Sequence, residues 1–128
     1  MMQAGRELNE TVGANVLGLE CVTFPNGACP HIKHWRDGGK AICLPNYSTN
    51  IADAWIVVEK LAGDGHALAL QAPGSTDMNE AYREFTRWTA DFGTNNISGY
   101  TEANGDTAPH AICLAALKIV GYSFSEEG

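Results

Sequence analysis

Apolar positions recur at Leu8, Val12 and Val16, a four-residue interval that keeps them on one side of a helix over roughly 5–16, with Gly18 placed to end it by positive φ. A second helix is predicted to start at Tyr47-Ser48-Thr49-Asn50, where Ser48 or Thr49 can accept the orphan amide hydrogens; Ile51, Trp55, Val58 and Ala62 then share a face up to Gly63. A third starts at Asp106-Thr107-Ala108-Pro109, with proline in the first turn, and runs to Gly121.

Between these helices the period changes to two. Leu17 to Phe24 and His66 to Ala72 alternate as strands do, Leu68 and Leu70 pointing one way and Ala67 and Ala69 the other. The stretch Asp77 to Phe92 carries two signals. Asp77 and Glu80 stand at capping-box spacing, whereas Thr86, Trp88, Ala90 and Phe92 alternate; the reading adopted is a turn or short helical start followed by a strand over about 84–92. Pro25-Asn26-Gly27 and Asp37-Gly38-Gly39 mark turns, and Glu126-Glu127-Gly128 is expected to fray. Helices before, between and after short strands imply an α/β fold, a single-domain α/β/α sandwich over residues 1–128 in which a small, mainly antiparallel sheet is covered by helices.

Composition supports that reading and narrows the partners. With 128 residues, 45% hydrophobic and 18% charged, the chain can bury a core, which argues against a disordered tail. Fifteen acidic against eight basic side chains leave a net charge of −7, so duplex nucleic acid is not an expected partner, although a small anion is allowed. No apolar run approaches the roughly 20 residues of a membrane span, and Met1-Met2-Gln3-Ala4-Gly5-Arg6 does not resemble a secretion signal, so no membrane partner is expected. Cys21, Cys29, Cys43 and Cys113 are read as free thiols for the same reason, Cys113 as a small hydrophobe in Ala111-Ile112-Cys113-Leu114.

Three places carry candidate chemistry. Cys29, His31, His34 and Cys43 supply ligand types for zinc, but their spacing matches no standard finger; a hydrophobic cysteine beside a solvated basic hairpin fits equally, and no metal or cofactor is assigned. In Tyr82-Arg83-Glu84-Phe85-Thr86-Arg87-Trp88, Arg83 and Arg87 are four apart and share a face in helix or strand, with Phe85 between them in a strand. Two forked guanidinium groups beside an aromatic ring suit a phosphate and a planar base; pairing with Glu80, Glu84 or Asp91 on a solvated surface is the alternative. The start of the third helix, Gly105 to His110, offers amide hydrogens and a positive dipole end to an anion, while Thr107 can cap its own helix. Lys33, Arg36 and Lys40 form either a solvated loop or a rim that guides an anion, and His66 and His110 receive no catalytic role. Gly-x-Ser-x-Gly, His-Glu-x-x-His, a phosphate loop and Gly-x-Gly-x-x-Gly are all missing, so binding is expected rather than catalysis.

Ala4-Gly5-Arg6-Glu7-Leu8-Asn9, Asn46 to Trp55 with Val57-Val58-Glu59-Lys60-Leu61, and Asp106 to Leu117 together resemble the phage ABA sandwich domain family, in the family's order. Trp88-Thr89-Ala90-Asp91-Phe92 is similar to the aromatic strand before its last helix. The chain departs from the pattern at His110, where an acidic residue is common, at Leu114, where a basic one is common, and in extra residues before Trp88. The resemblance implies a phage or prophage origin, an α/β/α sandwich, the host bacterial cytoplasm as location, and no established enzyme chemistry.

The size, fold and Arg-aromatic stripe are also similar to phage anti-Thoeris sponge proteins, which hold cyclic ADP-ribose-type signals, and in some cases cyclic oligonucleotides, without cleaving them. That second resemblance implies a homo-oligomeric counter-defence protein that sequesters a small anionic nucleotide signal. The base would stack on Phe85, Tyr82 or Trp88, phosphates would meet Arg83 and Arg87, and Asn95, Asn96 or Thr107 would contact ribose hydroxyls. The rival expectations are a structural or regulatory phage protein that binds a protein partner, and a zinc-stabilised module.

Overall fold

Helix α1 (Arg6–Asn15) forms where the four-residue apolar interval lies: Leu8 and Val12 are fully buried, and Gly18 takes φ 71° just beyond the helix end. The computed structural model describes residues 2–23, 33–74, 76–77, 83–84, 87–93 and 102–122. After α1 come strands β1 (Glu20–Thr23), β2 (Lys33–Asp37) and β3 (Lys40–Ile42), an antiparallel sheet in that order. Gly38 and Gly39 join β2 to β3 with φ 58° and 89°, the two consecutive positive values that a tight hairpin turn of matching twist requires. β1 is thus shorter than the strand expected from Leu17, and β2 and β3 flank the turn expected at Asp37-Gly38-Gly39, in a stretch for which the sequence leaves a basic hairpin or a cluster of zinc ligands open.

Helix α2 (Ile51–Gly63) is capped by Asn50, whose side chain accepts the Asp53 amide at 3.1 Å. This corrects the expectation of Ser48 or Thr49, and Ser48 has another task. Its amide and hydroxyl both donate to Asn9 Oδ1, at 2.8 and 2.6 Å, while the Gly5 amide donates to Ser48 Oγ at 2.9 Å. Ser48 and Asn9 are both buried, so this polar knot ties the start of α1 to the segment entering α2. The buried stripe of α2 is Ala54, Val57, Val58 and Leu61, rotated from the expected face so that Ile51, Trp55 and Ala62 lie in solvent.

Strand β4 (Ala67–Gln71) follows α2 through a tight turn in which the His66 amide donates to Leu61 O at 2.9 Å. Next are β5 (Thr76–Asp77), β6 (Arg83–Glu84), β7 (Trp88–Gly93), β8 (Ala103–Gly105) and helix α3 (Ala108–Ile119). β4, β7 and β8 form an antiparallel sheet in the order β4-β7-β8, while β5 and β6 pair only with each other. The strand expected over 84–92 is thus divided between two sheets, and Asp77 stands in a strand rather than a helical start.

Registers Leu68 with Phe92, Leu70 with Ala90 and Ala90 with Ala103 put these residues on one face of the sheet. On that face α3 covers β7 and β8, α2 covers β4, and α1 packs against α3. The resulting core is one contiguous cluster, including Leu8, Val57, Leu61, Phe92, Ile112 and Leu117. This is a mixed α/β fold with small antiparallel sheets and three helices among the described residues. No helix among them is long and apolar enough to cross a membrane.

Tyr47 is nearly fully buried beside this core. Burial first, then the negative charges of Asp53 and Asp37, pushes its phenol from 10.0 up to about 12. The folded chain therefore keeps a proton that the unfolded chain loses above pH 10, and the associated stability, complete below pH 10, disappears as pH rises toward 12. The expected size is about 2–3 kcal/mol. Urea denaturation of wild type and Tyr47→Phe between those pH values will show it, as the phenylalanine variant lacks this share of the alkaline loss.

Candidate functional site

The sequence directs attention to the stretch around Arg87 and to the beginning of α3, and the sheet brings the two together. Pairing of Trp88 with Gly105 and Thr89 with Asn104 sets the β8–α3 junction beside the start of β7. Trp88, Ala90 and Phe92 turn toward the helices; Thr89 and Asp91 turn to the opposite face. There Thr89 Oγ1 donates to Asn104 Oδ1 at 2.7 Å, a side-chain bond between neighbouring strands. Arg87, immediately before β7, reaches Asp106 with Nη2 3.0 Å from Oδ1, and both side chains are well exposed.

The junction itself is held by His110. Its Nδ1 accepts the Asp106 amide at 3.2 Å, so Nε2 carries the ring proton and donates it to Met2 O at 2.8 Å. The ring is almost wholly buried. Its own amide donates to Thr107 Oγ1 at 3.3 Å, making Thr107 the N-cap of α3. Lys118 Nζ, at the other end of α3, donates to Glu102 O at 2.8 Å and fixes the approach to β8.

This geometry limits what an anion can find. Pro109 has no N–H, the His110 amide is given to Thr107 Oγ1, and the Ala111 amide is given to Thr107 O. In the first turn of α3 only the Ala108 amide is left to face an anion, fewer than the amide hydrogens expected there from the sequence. Thr107 spends its oxygen on the cap. Arg87 has a carboxylate partner, although an exposed ion pair of this kind is worth only about 0–1 kcal/mol and exchanges readily.

The other expected site residues fare differently. Arg83 lies in β6, in a separate sheet from β7, so the rule that residues four apart share a face does not carry from Arg83 to Arg87. Trp88 is half-buried and packs on the core. Tyr82, Phe85, Asn95 and Asn96 lie outside the described residues, as do Cys29 and His31. His34 falls in β2, and Cys21 and Cys43 are exposed free thiols; among the described residues no cluster of three or more metal-ligating side chains exists. Cys113 is buried free thiol, and burial pushes it well above the ordinary thiol range.

The sequence reading missed two groups. His110 is at the N3 position relative to Thr107, the place from which a capping-box side chain reaches back to the backbone, so the spacing Thr-x-x-His was the available signal. Asn9 and Ser48 lie 39 residues apart, and no local pattern could link them.

The family model described as the Phage ABA sandwich domain matches residues 10–117 of this chain. Among solved structures, a phage protein from Bacillus cereus ATCC 14579 is similar to it, with 22% identity and a TM-score of 0.59 over 92% of each chain, a likeness of fold. No curated protein matches.

Proposed function

The chain belongs to the Phage ABA sandwich domain family, and from that premise we propose that it is a non-enzymatic binding protein that sequesters a small anionic nucleotide-derived signal, of the cyclic ADP-ribose or cyclic oligonucleotide class, in counter-defence. The observation that supports this reading is the placement of Arg87 at the α3 junction, in an exposed pair with Asp106 that a phosphate can displace. A phosphate offers the guanidinium two oxygens in the forked geometry it prefers, and the Ala108 amide and the positive end of α3 add to the attraction. Trp88, the next residue along the chain and only half-buried, is the ring this reading assigns to a base.

Asp106 competes with the ligand for Arg87. Calorimetry with cyclic ADP-ribose isomers and cyclic di- and trinucleotides is therefore expected to show binding that weakens roughly ten- to hundredfold in Arg87→Ala and strengthens in Asp106→Asn. No heat from any ligand rejects the reading, and recovery of a chemically altered ligand makes the protein an enzyme instead. A second reading, a phage structural or regulatory protein that contacts another protein, is favoured by the half-exposed Trp55 on α2. Purification from infected cells with a stoichiometric foreign protein, and no small-molecule binding, selects it.

A further inference from the structure

The Arg87–Asp106 contact has a neighbour on the same face of the sheet. Trp88 pairs with Gly105, so Arg87 falls opposite Asp106 on one side of that pair, and Thr89 falls opposite Asn104 on the other. Side chains two apart along a strand share a face, so the two contacts stand about 7 Å apart on the side of β7 and β8 turned away from the helices. Exposure agrees with this parity: Asn104 is open to solvent, while Ala103 and Gly105 on either side of it are buried.

Thr89 is only 5% exposed, and its hydroxyl has a single proton to give. Asn104 Oδ1 takes it at 2.7 Å, a shorter approach than the 3.3 Å to Arg87 O. That bond engages the oxygen of the Asn104 amide and leaves Nδ2, which carries two hydrogens, without a partner among the described residues. An exposed asparagine ordinarily samples several rotamers, and ordering it would oppose binding; here the strand below already holds it. Beside the Arg87 cation stands a fixed neutral donor. The two together match a sugar phosphate, whose phosphate oxygens suit the guanidinium and whose sugar oxygens suit the amide.

We propose that Asn104 is a second ligand contact of the Arg87 site, donating from Nδ2 to a sugar oxygen of the bound nucleotide, and that Thr89 is the positioning residue that holds it there. The assignment rests on the nucleotide reading and adds to it the group that recognises the sugar. The role that the sequence offered to Thr107 passes to Asn104, because Thr107 Oγ1 is engaged by the His110 amide.

Calorimetry of the full chain with the cyclic ADP-ribose isomers and cyclic di- and trinucleotides tests it. Asn104→Ala is expected to weaken binding about tenfold and Thr89→Val about threefold, whereas Thr89→Ser, which keeps the hydroxyl, binds as wild type does. Because Thr89 acts through Asn104, adding Thr89→Val to Asn104→Ala is expected to lose no further affinity; a valine that merely disturbed the sheet would weaken the double variant again. Nuclear magnetic relaxation of the side-chain amides in ligand-free protein supplies a readout that no nucleotide enters: the Asn104 amide is expected to be rigid in wild type and Thr89→Ser, and mobile in Thr89→Val. Affinity that falls in Arg87→Ala but not in Asn104→Ala overturns this proposal and leaves the nucleotide reading standing, while no heat from any ligand overturns both. An Asn104 amide as mobile in wild type as in Thr89→Val overturns the part given to Thr89.

Discussion

Replacing Gly105 by alanine is expected to destabilise the protein by about 3 kcal/mol, a fall of roughly 10 °C in Tm. Gly105 ends β8 one turn before α3, and a Cβ there would stand 2.5 Å from the Ala111 amide nitrogen and 3.0 Å from Ala111 Cα and His110 C. These are backbone atoms of a helix whose first two turns are buried, so no flexible side chain can move aside. Either β8 retreats from β7, loosening the Trp88–Gly105 register, or α3 shifts and stretches the bonds His110 makes to Asp106 and Met2. Gly63→Ala is the internal control: a Cβ at the last residue of α2 meets nothing within 4 Å, and the change should be neutral or slightly stabilising. Thermal melts of the two variants make the comparison, and a wild-type Tm for Gly105→Ala would mean that β8 and α3 are not in such close contact.

Asn9→Ala is expected to cost about 2–3 kcal/mol. The substitution removes the oxygen that accepts both the Ser48 amide and the Ser48 hydroxyl, and it does so where Ser48 is fully buried. The hydroxyl can still turn to Gly5 O, at 3.2 Å, but the amide is stranded. Because Asn9 and Ser48 act as one unit, Ser48→Ala should add less to Asn9→Ala than it costs by itself. Urea denaturation of the two single variants and the double variant measures this, and strict additivity would show that the knot is not a cooperative structure. The knot also gives a physical meaning to two of the blocks that carry the family resemblance. Gly5 and Asn9 come from the first, Ser48 from the second, and the bonds between them close the entry of α1 onto the entry of α2.

Local patterns predicted the helices well, because a helix is decided within a few residues. The Leu8–Val12–Val16 interval, the Thr107 cap with Pro109 in the first turn, and the glycines beyond the ends are each complete signals. The cap of α2 was less legible. Tyr47-Ser48-Thr49-Asn50 contains three residues able to cap, and the choice of Asn50 depends on Ser48 being held by Asn9 of α1, 39 residues away. The rotation of the buried stripe on α2 has a similar origin: Ile51 and Trp55 fit an apolar helix face as well as Ala54 and Val57 do, and packing against α3 and β4 selects the latter.

The candidate site was legible only in part, for the same physical reason. Parity places residues two apart on one face only while a strand stays in one sheet, and β6 and β7 belong to different sheets. The partnership of Arg87 with Asp106, 19 residues apart in sequence, arises from β7 pairing with β8.

By itself the sequence determined the helix positions, the period-two stretches, the balance of charge and the family blocks, since all of these depend on neighbours along the chain and on composition. Only the tertiary structure decided which strand joins which sheet, where Arg87 and Asp106 meet, what Ser48 and His110 hold together, and which faces of α2 and β4 stay open. Those outcomes depend on contacts between residues tens of positions apart, where burial and hydrogen bonding choose among options that local propensity leaves equal.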